Sequence, residues 1–255
     1  MLVHFDQSRI VLSATGEFKN ASAPFSIGGH KLKDADVSFT ADRQGMSVKG
    51  PASIGAWRTQ LEWEETFDYG ATPTRYRVTG TLDRDTLDSL GVGFRSNYDG
   101  VINLDIEALG QGLELSSGQI TADLTAATLN FMPHWSKEAG VAGQFVGNLV
   151  RSETGGMHFP NLSITAPGLD MRGSLSLAEN FRLLNLDFDK AFVDGFIDSS
   201  LQLKPDNAGE KLSIFVAGRF LDVSEFITSA MGAGEGGASI PVLLTAGIEL
   251  SLIHI

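Results

Sequence analysis

The chain contains no cysteine, which excludes disulfide bridges, thiolate zinc sites, iron–sulfur ligation and a cysteine nucleophile. Because disulfide-free proteins also occur in oxidising compartments, this absence leaves the compartment open. Basic residues are few: 19 Lys+Arg stand against 31 Asp+Glu, a formal net charge of −12 at pH 7. The excess of acidic residues argues against nucleic acid or an anionic membrane surface as a partner.

Long apolar runs are also lacking. A helix that spans a bilayer needs about 20 consecutive apolar residues. The longest candidate, Ile240 to Ile255, is shorter than this and contains Glu249. No charged stretch followed by an apolar one opens the sequence in the manner of a secretory signal. The sequence as written therefore predicts a soluble segment without a targeting signal.

Both ends suggest a piece of a longer protein. Met1 leads directly into an extended pattern, and residues 250–255 resemble the translated end of a transposon-based sequencing adaptor. We therefore expect residues 250–255 to be an artefact and the native sequence to stop near Glu249.

Alternation of apolar and polar residues dominates the sequence and is typical of strands with one buried and one solvated face. In the segment 169–177, Leu169, Met171, Leu175 and Leu177 alternate with polar residues. The same pattern recurs in 57–64, 75–79, 102–107, 184–189 and 212–217. Turn signals separate the runs at 97–100, 116–118, 166–168 and 205–209. Such short intervals predict an all-β fold with mainly antiparallel pairing.

Two short segments have helix signals. The first, 83–90, has Asp83 or Asp85 as N-cap, and the second, 222–231, has Asp222. Both follow a Val-x-Gly motif that ends in Leu-Asp, and this repetition suggests duplicated layers in an extended sheet.

The segments together predict the organisation of the chain. Its expected parts are a first part of the sheet over 1–80, a sheet segment between the two helices over 81–231, a Gly-rich linker over 232–239, the first strand of a further segment over 240–249 and the adaptor-like 250–255.

Residues for catalysis or metal binding are sparse. The five histidines, at positions 4, 30, 134, 158 and 254, show no metal-ligand spacing. The densest polar segment, 132–140, could supply His134, Ser136 and Lys137 as a catalytic group, but a loop between two strands is the favoured interpretation. Glu64-Glu65 and the Asp187/Asp189 pair are interpreted as solvated strand faces. With no phosphate-binding loop and no nucleophile elbow, we expect no enzyme, no cofactor and no metal site.

One long apolar face must be covered by another layer, a membrane or a ligand. The sheet could close on itself as a β-sandwich, or it could curl into an apolar groove that accepts acyl chains. The following residues are candidates for the groove lining, or alternatively for an ordinary core: Leu61, Trp63, Tyr76, Val78, Ile102, Leu104, Ile106, Leu169, Met171, Leu175, Leu177, Leu184, Leu186, Phe188, Ile214 and Val216.

A succession of short motifs resembles the AsmA-like superfamily, in particular its large YhdP-type and TamB-related members from Gram-negative bacteria. The motifs are Trp63-Glu64-Glu65-x-Phe67, Arg75 to Asp83 leading into Leu87 and Leu90-Gly91, Ala122 to Ala127, Trp135-Ser136-Lys137-x-x-Gly140, Ala166 to Leu169, and Val216-x-Gly218-x-x-Leu221-Asp222.

The resemblance implies a periplasmic β-sheet, anchored to the inner membrane by a segment absent from this chain and curled into an apolar groove. It implies a segment of a bridge that carries phospholipid acyl chains between the inner and outer membranes and supports outer-membrane integrity. The alternative is a non-enzymatic β-rich scaffold of the cell envelope that binds protein partners by strand addition and carries no lipid.

Overall fold

The computed structural model describes residues 13–23, 26–27, 30–67, 74–90, 98–112, 114–132, 135–152, 156–178, 182–206, 211–222, 224 and 242–252. Most of these residues lie in strands, which confirms the all-β prediction. The chain divides into two compact units, the first formed by Met1–Gly80 with Asp105–Gly118 and the second by Thr81–Leu104 with Gln119–Ile255.

The first unit is a sheet of mostly sequential strands. Its strands are β1 Ala14–Ala21, β2 Ser26–Ile27, β3 His30–Lys33, β4 Ala35–Ala41, β5 Gly45–Ile54, β6 Trp57–Thr66 and β7 Thr74–Leu82. β1, β4, β5, β6 and β7 pair antiparallel in that order, and β3 pairs with β2 and with β5. The strands β9, Ile102–Gln111, and β10, Glu114–Asp123, contribute residues to both units.

The second unit contains one described helix, a small sheet and a long run of strands. These elements are α1 Arg84–Ser89, β8 Tyr98–Gly100, β11 Ala127–Met132, β12 Trp135–Lys137, β13 Gln144–Arg151, β14 Met157–Ala166, β15 Leu169–Leu177, β16 Leu183–Val193, β17 Ile197–Pro205, β18 Leu212–Asp222 and β19 Val242–Leu252. β13 to β18 pair antiparallel in chain order, β19 pairs parallel with β18, and β8, β11 and β12 form the small sheet.

The strand β15 shows how alternation determines register. This strand has the predicted bounds, 169–177. Leu169 and Met171 are buried on one face. On the other face, Arg172 Nε donates a hydrogen bond to Asp170 Oδ1 at 2.9 Å. A slip of one residue would bury both charges and expose both apolar side chains. Alternation therefore specifies the pairing as well as the strand.

Charges of opposite sign face one another on the polar side of the first unit. Lys49 Nζ lies 3.6 Å from Glu62 Oε2, and Arg77 Nη2 lies 2.7 Å from Asp105 Oδ2. Each pair is exposed to solvent, so it contributes little to stability. Because like charges placed directly opposite are destabilising, the alternating signs favour this register over its neighbours.

Two bulges in β16 interrupt the alternation predicted for 184–189. The pairing with β15 places Leu183 opposite Leu177, so Leu184 is an extra residue and is 42% exposed. Asp189 is a second extra residue between Phe188 and Lys190. Bulges insert single residues into otherwise regular strands, so period-two analysis does not detect them.

Two predicted turns are wrong. Residues 116–118 lie inside β10, and Tyr98–Gly100 forms β8. Gly118 is required by a close backbone approach, because a Cβ there would lie 2.6 Å from Glu107 O. The chain reverses instead near Gly112, whose φ of +59° favours glycine. The turn predicted at 166–168 is confirmed between β14 and β15.

The first predicted helix is confirmed as α1, with Asp83 as its N-cap. The Asp83 carboxylate accepts a hydrogen bond from Thr86 N at 2.8 Å. Its hydrogen bonds with Thr86 lower the pKa of the carboxyl. The second predicted helix, over 222–231, and the linker over 232–239 fall largely or wholly outside the described residues. A strand lies where one was predicted over 240–249: β19 begins at Val242, extends to Leu252 and pairs parallel with β18.

Gly173 offers a stability test of the β15–β16 pairing. A Cβ on Gly173 would lie 1.9 Å from Asp187 O, a contact that only a backbone shift relieves. We expect Gly173→Ala to lower the free energy of unfolding by about 3 kcal/mol, at the upper end of overpacking costs. Urea denaturation measures this loss.

Gly247→Ala is the matched control, because a Cβ there meets nothing within 4 Å and the backbone needs no positive φ. Its free energy of unfolding should change by less than about 0.5 kcal/mol. Equal losses in the two variants would contradict the close approach at Gly173.

Candidate functional site

One face of β14 to β18 is apolar across the strands. Cross-strand pairing aligns its side chains in rows, because paired residues project to the same side of a sheet. One row, next to the β14–β15 turn, contains Ala166, Leu169, Val193, Ile197 and Leu221. A second row, toward the other end of the strands, contains Phe159, Leu175, Leu186, Leu203 and Ile214.

Burial decreases from the first row to the second. In the first row, Leu169, Val193, Ile197 and Leu221 are buried and Ala166 is partly buried. In the second row only Phe159 is buried, whereas Leu175, Leu186, Leu203 and Ile214 are partly buried. The apolar face is therefore closed near the β14–β15 turn and partly accessible toward the other end.

The small sheet contributes to the closed end. Leu129 of β11 and Trp135 of β12 are buried in the same cluster as the first row. The Trp135 indole Nε1 donates a hydrogen bond to Pro167 O at 2.9 Å and its ring lies beside Gly168. This contact joins the small sheet to the β14–β15 turn.

The polar segment 132–140 does not assemble a catalytic group in its described part. Trp135 and Lys137 are buried on one side of β12, and Ser136 is exposed on the other. Lys137 is 2% exposed, and its ammonium donates to the carbonyl of Ala127 at 2.6 Å, with further bonds to Thr125 O and Glu138 O. Burial lowers the pKa of Lys137, against the raising effect of nearby carboxylates.

Lys137 therefore has a structural role, holding the backbone around the start of β11. The segment predicted as a plain loop between two strands contains β12 itself, and His134 lies outside the described residues.

The predicted lining residues fall into three groups by burial. Those buried are Val78, Leu169, Met171, Phe188 and Val216. Those partly buried are Leu61, Trp63, Tyr76, Ile102, Leu104, Ile106, Leu175, Leu177, Leu186 and Ile214. Leu184 stands apart as the exposed bulge residue. The first group belongs to the core. The second group keeps partial solvent exposure, although six of its members also pack against the core: Ile102, Leu104, Leu175, Leu177, Leu186 and Ile214.

In the first unit, a polar cluster lies on the apolar side of β6 and β7. The rings of Trp63 and Tyr76 stack with centroids 5.7 Å apart. The Glu65 carboxylate accepts hydrogen bonds from Trp63 Nε1 at 3.2 Å and from Thr74 Oγ1 at 2.6 Å. The backbone of Gly112 completes the cluster, since its N–H donates to Thr74 Oγ1 and its carbonyl accepts from the Tyr76 hydroxyl.

Sequence analysis missed the role of Glu65 by grouping it with Glu64 on a solvated face. In the structure Glu64 is exposed beside Lys49, whereas Glu65 lies on the side of Trp63. The signal was present, because strict alternation from Trp57 puts Glu65 on the apolar side.

The opposite face of the second unit carries a shallow cleft of about 360 Å³. Its walls include Asp187, Gln202 and Phe215, and Gly247 leaves space at its base. Gln202 Nε2 donates to Asp187 Oδ2 at 3.0 Å, and Ser200 Oγ donates to Ala217 O at 2.9 Å.

Within the described ranges, no group of three or more His, Asp or Glu side chains is placed to hold a metal ion. The same ranges contain no helix with the length and apolar character needed to cross a bilayer. Comparison of the chain with family models, with curated proteins and with solved structures found no match.

The Tyr76 environment predicts a specific alkaline pH dependence. Burial, followed by the negative charge of Glu65, raises the pKa of Tyr76 from 10.0 to about 12. The unfolded chain ionises this phenol near pH 10 and the folded chain near pH 12, so its contribution to stability is complete below pH 10 and is lost between these values.

Between pH 10 and pH 12, the free energy of unfolding should therefore fall more steeply in the unaltered chain than in Tyr76→Phe. Urea denaturation across this interval measures both slopes, and comparing slopes removes the constant cost of the lost hydrogen bond to Gly112. Identical slopes would show that Tyr76 titrates normally.

Proposed function

We propose that this chain is a segment of a periplasmic bridge protein that carries phospholipid along apolar sheet faces between the inner and outer membranes. The observation that supports this is the graded burial of the second unit, closed near the β14–β15 turn and partly accessible at Leu175, Leu186 and Ile214. The motif resemblance to the AsmA-like superfamily supports the periplasmic setting and the inner-membrane anchor outside this chain.

The physical advantage of such a surface is a lower barrier to lipid transfer. Each CH₂ group exposed to water costs about 0.8 kcal/mol, so an acyl chain crossing an aqueous space needs continuous apolar contact. Partly accessible leucine and isoleucine side chains provide this contact. The proposal needs no covalent step, no cofactor and no metal.

The opposite face would keep the protein hydrated. In the second unit it carries Asp170, Arg172 and Lys190, joined by charge-assisted hydrogen bonds. In the first unit, the polar face of the strands carries the alternating charges of Lys49, Glu62 and Arg77. Lipid would therefore contact one face and water the other.

We take the partly buried positions as the proposed lining, because a fully buried side chain cannot contact a lipid. Val78, Leu169, Met171, Phe188 and Val216 are buried and act as supporting core. The contact positions for acyl chains are Leu61, Trp63, Tyr76, Ile102, Leu104, Ile106, Leu175, Leu177, Leu186 and Ile214. In each unit, these positions would present the apolar side of the strands to lipid.

A second candidate function is a scaffold that binds partners by strand addition, and β19 favours it. This strand pairs with β18 along one side, and no other described strand pairs with it. Its exposed Leu243 and its low charge make it receptive to a further strand. In this role the apolar face would carry no lipid.

Site-specific photo-crosslinking in cells distinguishes the two functions. A photo-reactive residue at Leu104 or Leu186 should capture phospholipid, because both side chains are partly accessible on the apolar side. The adjacent positions Asp105 and Asp187 are the matched controls, since Asp105 pairs with Arg77 and Asp187 with Gln202 on the polar side.

Mass spectrometry of the adducts gives the readout. Labelling confined to Leu104 and Leu186 supports lipid carriage. Equal phospholipid labelling at all four positions, or adducts with protein alone, would exclude lipid carriage. Either result would favour the scaffold function.

A further inference from the structure

The stacked Trp63–Tyr76 pair, together with Glu65 and Thr74, has the composition of a ligand site, and we call these four residues the Trp63 cluster. All four lie on the apolar side of the paired strands β6 and β7, where Trp63 faces Tyr76 and Glu65 faces Thr74. Trp63, Glu65 and Tyr76 are only partly buried, so a ligand can reach them.

Glu65 is a carboxylate whose charge has no cationic partner among the described residues. No described Lys, Arg or His side chain lies within 4.0 Å of it, whereas Glu62 and Glu64, on the opposite face, both lie within 3.6 Å of Lys49 Nζ. Its two described donors, Trp63 Nε1 and Thr74 Oγ1, share the single oxygen Oε2. The described side chains therefore leave Oε1 available as an acceptor.

The donors also hold the carboxylate in place. Thr74 is fully buried, and its hydroxyl accepts from Gly112 N at 2.8 Å while it donates to Glu65. The Tyr76 hydroxyl is oriented by its hydrogen bond to Gly112 O. A fixed carboxylate beside fixed aromatic rings loses little conformational entropy when a ligand binds.

We propose that the Trp63 cluster binds the primary ammonium group of an aminophospholipid headgroup. Three features favour this group: a carboxylate without a described counter-charge, a free acceptor oxygen for an N–H donor, and aromatic rings that attract cations. An acyl chain attached to the same ligand would lie against the neighbouring, partly buried Leu61. The inference rests on the proposed function, because it identifies the headgroup of the lipid carried there.

A quaternary ammonium should bind less tightly than a primary one. It is attracted by the rings but has no N–H to donate to Glu65. An anionic headgroup should be rejected, because it would lie beside the Glu65 carboxylate with no described cation nearby.

The test titrates the soluble probe glycerophosphoethanolamine and follows the indole N–H resonances by NMR, with the Trp63 signal assigned by its loss in Trp63→Phe. We expect the Trp63 resonance to shift, with an affinity about tenfold higher than that of glycerophosphocholine, because only the primary ammonium can donate a charge-assisted hydrogen bond to Glu65. Glycerophosphoglycerol should cause no shift.

Glu65→Gln is the decisive variant, because a glutamine carbonyl can still accept from Trp63 and Thr74 while the charge is removed. It should lose about tenfold or more in affinity for glycerophosphoethanolamine. Glu64→Gln, on the opposite face, is the matched control and should bind as the unaltered chain does. Unchanged indole resonances of Trp57 and Trp135 in both free variants show that they are folded, since neither indole bonds to Glu64 or Glu65.

The outcomes separate this inference from the proposed function. If Leu104 and Leu186 capture phospholipid while the Trp63 resonance ignores glycerophosphoethanolamine, lipid carriage stands and the headgroup site is excluded. Equal losses in Glu65→Gln and Glu64→Gln would also exclude it, because the effect would then be general electrostatics. If the soluble probe binds but no phospholipid is captured, the site takes a small amine and the lipid headgroup is excluded as its source.

Discussion

Cross-strand register is the constraint on which the rest of this structure depends. Without disulfides, and with a single short helix in the described part of the chain, pairing between neighbouring strands holds each unit together. Register decides which side chains share a face, so a slip of one residue would exchange the apolar and charged faces. The alternating charges of Lys49, Glu62 and Arg77 and the buried rows through Leu169 and Val193 both enforce the same register.

The two-sided character of the strands separates two tasks. The charged side interacts with water, and its exposed ion pairs contribute little to stability individually. The apolar side must be covered, and in the second unit the small sheet covers only part of it through Leu129 and Trp135. The remaining, partly accessible apolar surface is the basis of the proposed lipid-carrying role.

Departures from regular alternation mark the positions that matter most for function and geometry. The bulge at Leu184 turns a predicted lining residue outward, and Gly173 allows β15 and β16 to approach closely. Glu65 continues the alternation but places a carboxylate where an apolar residue is expected. A half-buried charge on an apolar face costs desolvation free energy, which a ligand of opposite charge would offset.

The sequence alone predicted the all-β class, the positions of seven strands (β6, β7, β9, β15, β16, β18 and β19) and a helix capped by Asp83 or Asp85, because alternation and capping are local patterns encoded in consecutive residues. The structure selects Asp83. It could not locate the bulges in β16, the strand β12 or the turn at Gly112, since these depend on how one strand meets the next. Only the tertiary structure decided which apolar residues are core and which stay accessible. Burial depends on what packs over a face, and the small sheet that covers Val193 and Leu221 comes from a distant part of the chain.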